Sequence, residues 1–167
     1  KPLLIQYDDP EYGEPKIDLG ALDYDDFVAA GDASFAWLMP QDEWDAISIN
    51  YTSGTTGDPK GVVYHHRGAY LLAQGNALTT SMAKHAVYLW TLPMFHCNGW
   101  CFPWTLSAIA GTHVCLRQVR AEPIWSALAQ EAGTHLCGAP IVMSLLISAP
   151  EAVRRPLSQT VQFFTAA

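Results

Sequence analysis

Ile49-Asn50-Tyr51-Thr52-Ser53-Gly54-Thr55-Thr56-Gly57-Asp58-Pro59-Lys60-Gly61-Val62-Val63 is the stretch whose reading decides the fold. A β-branched strand enters it and a second short strand leaves it. Between them stand the hydroxyls of Thr52, Ser53, Thr55 and Thr56, the glycines Gly54, Gly57 and Gly61, and the cation of Lys60. Glycine lets a backbone turn through positive φ and approach a ligand closely. The hydroxyls add donors to the loop's own N–H groups, and Pro59 stiffens the approach to the lysine. Many short donors, one cation and no carboxylate before Asp58 make an inventory suited to a polyphosphate. A polar hairpin turn is the other reading, since Gly, Ser, Thr, Asp and Pro fill turns generally. It gives no reason for four hydroxyls and a lysine together.

The loop does not follow the Gly-x-x-x-x-Gly-Lys-Ser/Thr order, in which the hydroxyl after the lysine serves magnesium. Here Lys60 precedes Gly61, and the hydroxyls lie on its N-terminal side. The run Thr52-Ser53-Gly54-Thr55-Thr56-Gly57-Asp58-Pro59-Lys60-Gly61 resembles the phosphate loop of the adenylate-forming superfamily. That superfamily includes acyl-CoA synthetases, luciferases and peptide-synthetase adenylation domains. The resemblance implies that Thr52, Ser53, Gly54, Thr55, Thr56, Gly57 and Lys60 bind the phosphates of ATP.

A second landmark lies downstream. Val87-Tyr88-Leu89-Trp90-Thr91-Leu92 reads as a strand stopped by Pro93, and it leads into Met94-Phe95-His96-Cys97-Asn98-Gly99-Trp100. A strand ending in a loop of this kind is a ligand-facing terminus in an α/β sheet. Pro93, Phe95, His96 and Gly99 also resemble the superfamily's Pro-x-Phe-His-x-x-Gly pattern. The resemblance puts His96 beside the acyl group and the adenylate, with Trp100 in the wall of the acyl tunnel. A hydrogen-bonded loop histidine and a core tryptophan are the plain structural alternatives.

Composition narrows the partners. Of 167 residues, 50% are apolar, enough for a buried core, and only 15% are charged. A net charge of −7 argues against a nucleic-acid partner, since no basic stripe exists to neutralise phosphates. No apolar run of about 18 residues appears, so a membrane span is unsupported. The early acidic residues, from Asp8 to Asp32, read as a solvated face. Cys97, Cys101, Cys115 and Cys137 include no Cys-x-x-Cys pair, so they read as reduced thiols in a cytoplasmic protein and not as a metal site. Cys115 and Cys137 sit in apolar strand-like runs, where cysteine acts as a small hydrophobe.

The remaining elements come in order. Leu3–Tyr7 reads as a strand, Tyr24–Ala30 as a helix capped by Asp23, and Ala46–Tyr51 as the strand delivering the loop. The connector from Phe35 to Asp45 carries no evident chemistry. Gly61–Tyr64 is a strand, and His65-His66-Arg67 opens a helix to about Ser81 with Ala69, Leu72, Ala73 and Ala77 as its buried stripe. A helix over Phe102–Ala110, a strand over Thr112–Leu116, a helix opened by Pro123 and a strand over Thr134–Gly138 follow. Ile141–Ser148, apolar nearly all round, is expected to be buried. Val161–Thr165 closes as a strand. This alternation argues for an α/β fold with a parallel sheet flanked by helices. It would set the phosphate loop and the His96 loop side by side at the strand C-termini.

The combined expectation is an interior portion, residues 1–167, of the large N-terminal domain of an adenylate-forming enzyme. The resemblance implies an acyl-CoA synthetase that joins a fatty or small aliphatic carboxylic acid to AMP from ATP and passes it to CoA, with Mg2+. No Tyr-Gly-x-Thr-Glu stretch is found, so the magnesium-binding glutamate that the superfamily implies is missing. The isolated chain is therefore expected to be inactive, and its apolar surface to pack against the remainder of a longer protein. A nucleotide-binding or interaction module without catalysis, and a phosphate-loop ATPase, are the rival readings.

Overall fold

The computed structural model describes residues 2–13, 15, 17–54 and 57–165. The chain divides into two compact units, residues 1–39 and 40–167.

In the first unit, β1 (Ile5–Gln6) pairs in parallel with β2 (Leu22–Asp23). Asp23 then opens α1 (Tyr24–Ala29), its carboxylate accepting from the N–H groups of Asp25 and Asp26. This is the expected cap, satisfying two donors that the first turn cannot pair internally.

The second unit begins with β3 (Ala46–Tyr51) and β4 (Gly61–His65), which pair antiparallel as a two-stranded sheet of their own. The loop expected to hold phosphates therefore tips a hairpin; it is not carried on the edge of the parallel sheet. From β4 the chain passes into α2 (His66–Thr79), whose first turn is held from several sides. His65 Nδ1 accepts from the N–H of Gly68 at 3.0 Å. The N–H groups of His66 and Arg67 donate to the carbonyls of Asp45 and Glu43. The connector that carried no evident chemistry thus supplies acceptors to the start of α2. Ala69 and Ala73 are buried as expected, but Leu72 is exposed.

The main sheet contains β5 (Val87–Trp90), β6 (Thr112–Cys115), β7 (His135–Cys137) and β8 (Gln162–Phe164) in the order β6-β5-β7-β8, all parallel. Between them run α3 (Cys97–Trp100), α4 (Phe102–Ala108), α5 (Ala121–Gln130) and α6 (Pro140–Ile147). Strand β5 is apolar throughout because both of its faces are covered. Tyr88 and Trp90 join a core with Met82, Phe102 and Leu106. Leu89 points the other way, to Ile124, Leu128, Leu136 and Val142.

Three further expectations need correction. Helix α5 starts at Ala121, two residues before Pro123, which fits because a proline within the first turn removes only an unpaired donor. Only Val142 of α6 is buried, while Ile141 and Ile147 are 71% and 67% exposed. Cys137 is buried but Cys115, on the edge strand β6, is exposed. Among the described residues, no helix is long and apolar enough to cross a membrane.

Candidate functional site

The loop between β3 and β4 is closed at its neck by Thr52 and Lys60. The Thr52 N–H donates to the Lys60 carbonyl at 3.0 Å, and the Lys60 N–H donates to Thr52 Oγ1 at 3.1 Å. Further out, the Gly57 N–H donates to the Gly54 carbonyl at 3.2 Å. Gly54 has φ +69°, and a Cβ there would stand 2.8 Å from the Gly57 oxygen and 3.1 Å from the Pro59 ring. Only glycine meets both demands. Thr52, Ser53, Gly57 and Lys60 are exposed. Thr55 and Thr56, two of the expected phosphate contacts, lie outside the described residues. Thr52 proves to have a structural duty that its residue type alone does not reveal: its hydroxyl oxygen helps to shut the loop.

The second segment departs most from ordinary backbone. Cys97, Asn98, Gly99, Trp100 and Cys101 have φ of 46°, 43°, 54°, 53° and 63°. This makes α3 a single left-handed turn, with Asn98 and Gly99 close to ideal left-handed geometry at ψ 49° and 39°. For non-glycine residues that conformation costs about 1–2 kcal/mol each. Such strain persists only where surrounding contacts over-determine it, and it clusters at functional sites. Within the turn the Gly99 N–H donates to the His96 carbonyl at 2.9 Å, and the Cys101 N–H to the Asn98 carbonyl at 3.0 Å. Gly99 is buried against Trp90, leaving no space for a side chain. The Trp90 indole is fixed in its turn, donating from Nε1 to His113 Nδ1 at 3.0 Å.

His96 is exposed at the head of this turn, and its side chain makes no capping bond. Trp100 is half-buried and packs against the core around Tyr88. The hairpin reaches this region through Tyr64, whose ring lies 6.3 Å from that of Trp104 on α4. An apolar hollow of about 250 Å³ lies between Tyr64, Gly68, Leu72 and Cys101. A second, of about 400 Å³, opens at the C-terminal ends of β5 and β6 between Trp90, Met94, Leu116 and Val119. Burial raises the Cys101 thiol above its ordinary value, with the neighbouring Cys97 adding to the effect. The Tyr64 phenol is raised chiefly by burial as well.

The model of the AMP-binding enzyme family covers residues 6–167. The chain belongs to the AMP-binding enzyme family. Among similar members is the peroxisomal acetate/butyrate–CoA ligase AAE7 of Arabidopsis thaliana, 51% identical over 171 residues, covering 99% of this chain and 30% of that protein. The acetate–CoA ligase CCL3 of Humulus lupulus is 48% identical over 159 residues, covering 95% of this chain and 28% of that protein. The chain thus spans less than a third of the length of these curated relatives. In three dimensions it is similar to the inhibitor-bound N-terminal domain of FACL13 from Mycobacterium tuberculosis. The TM-score is 0.77 at 25% identity, over 87% of this chain and 37% of that one. The α/β architecture is therefore that of the N-terminal domain of AMP-binding enzymes.

Proposed function

We propose that this chain is the phosphate-binding and acid-binding portion of an AMP-forming acyl–CoA ligase that acts on a small aliphatic carboxylic acid. The observation that carries the reading is the loop at 52–60, shut by Thr52 and Lys60 and shaped around Gly54. Its exposed donors and cation suit the phosphates of ATP, and Thr52, Ser53, Gly54, Thr55, Thr56, Gly57 and Lys60 would hold them. Bound ATP supplies the electrophilic phosphorus that a carboxylate attacks. The chain's own part is to hold the phosphates in place and offset their charge. Magnesium would come with the phosphates of ATP and would offset their charge there. CoA enters as the acceptor of the activated acid.

The choice of a small acid is supported by the relatives' names, which specify acetate, butyrate and 2-methylpropanoate. His96 and Trp100 would border that acid, with the apolar hollows at Cys101 and Met94 adjoining the turn that carries them. Pyrophosphate release with hydroxamate trapping tests the reaction in the full-length protein that carries this chain. Release of inorganic phosphate without a hydroxamate would show an ATPase in its place.

Two expectations arise from this reading. His96→Ala and Trp100→Ala should each change the ranking of acetate, butyrate and longer acids more than the KM for ATP. A methylene in an apolar pocket discriminates by about 1–3 kcal/mol, and an unaltered acid profile in both variants would remove these residues from the pocket. The 167-residue chain alone, given ATP, magnesium, CoA and acids, should release no pyrophosphate above background. Positioning depends on all of the reacting groups being held at once. Turnover by purified chain free of host ligase would contradict that expectation.

A further inference from the structure

Nothing in Cys97, Trp100 or Cys101 favours a left-handed backbone, so the turn at 97–101 needs a hold from elsewhere. Asn76, half-buried near the C-terminal end of α2, reaches it from another element. Its Nδ2 donates to the Trp100 carbonyl at 2.8 Å and to Thr105 Oγ1 at 3.3 Å. Thr105 Oγ1 in turn donates to the Cys101 carbonyl at 3.2 Å. One amide nitrogen with two protons thus serves two acceptors, one of them within the left-handed run. Asparagine is a poor residue for a helix interior, and this bond gives it a reason to be there.

We propose that Asn76 is a positioning residue for the acid-binding turn, holding residues 97–101 left-handed through the Trp100 carbonyl. The proposal rests on the reading of that turn as the acid site. Asn76→Leu keeps the bulk and removes both donors, whereas Asn76→Asp turns an acceptor toward two acceptors. Releasing the turn should spoil acid placement while leaving the phosphate loop closed by its own Thr52–Lys60 bonds.

The test uses the full-length protein and two readouts. The first is alkylation by iodoacetamide, followed by mass spectrometry at each cysteine. Cys101 is 3% exposed and Cys137 is fully buried, with burial raising the Cys137 thiol to about 11. In both variants Cys101 should react about tenfold faster, as expected for a buried hydrogen bond left unpaired, with Cys137 unchanged. The second readout is kinetic: the KM for the acid should rise or kcat fall by a similar factor, with the KM for ATP unmoved. Equal acceleration at Cys101 and Cys137 in both variants would overturn the proposal, because Asn76 would then support the core at large. Unchanged Cys101 reactivity in both would overturn it as well, as would an opened Cys101 with normal acid kinetics. A lack of ligase activity in the unaltered protein would instead sink the functional reading, and the thiol readout would still decide whether Asn76 holds the turn.

Discussion

Lys60→Ala should slow acyl-adenylate formation by the full-length protein about 10- to 100-fold, the loss expected when a charge-assisted contact worth about 1.5–3 kcal/mol is removed. The structure makes this a clean variant. Lys60 closes the loop with its backbone N–H and carbonyl, both on Thr52, and alanine keeps both. Its side chain is exposed, so no packing is lost with it. Pyrophosphate exchange measures the adenylation step directly. If Lys60→Ala retained unaltered exchange kinetics, the lysine would have no part in phosphate binding. Lys60→Arg, which keeps the charge but changes its shape, should fall between the two.

Gly99→Ala should destabilise the protein by about 2–5 kcal/mol, adding left-handed strain to overpacking. A Cβ at Gly99 would stand 2.7 Å from Trp90 Cζ3 and 3.3 Å from the Met94 Cα. Trp90 cannot easily yield, being 5% exposed and tied to His113. Gly75, in the middle of α2, is the matched control, because a Cβ there meets nothing within 4 Å. Gly75→Ala should instead stabilise by up to about 1 kcal/mol through helix propensity. Thermal unfolding of both variants should therefore move in opposite directions. Equal shifts would show that the turn is not under the strain its geometry implies.

The parallel sheet was legible because strands alternated with helices at Gly and Pro boundaries, and the first helix because Asp23 stood where a cap is needed. The hairpin stood only as the rival reading of the loop, since β-branched strands look alike in either orientation and the loop between them exceeds the short turns that announce a hairpin. The exposure of Ile141 and Ile147 was equally hidden, because an all-apolar helix has no stripe to tell its inner face. At the candidate site, the exposed donors and the cation of the loop were legible as residue types, while the closing bond from the Lys60 N–H to Thr52 Oγ1 was not. The left-handed turn could not: Asn98 and Gly99 hint at it, but Cys97, Trp100 and Cys101 carry no such signal. Asn76 was invisible for another reason. Its partners are the Trp100 carbonyl and the Thr105 hydroxyl, both far along the chain, and no side-chain pattern marks a carbonyl.

The order of strands in the sheet also bears on how the polypeptide must assemble. Central β5 pairs with β6 on one side and β7 on the other, and Thr134 on the approach to β7 exchanges bonds with the backbone of Val87. Those partners are far apart in sequence, so loop-closure entropy must be met before any pairing is rewarded. The β3–β4 hairpin has no such wait and can form as soon as residues 46–65 have left the ribosome. Strand β5 then emerges with both edges bare and apolar on both faces, until β6 and later β7 arrive. That interval exposes the nascent chain to self-association, which makes chaperone capture during synthesis a matter for β5 above the other described strands of this sheet.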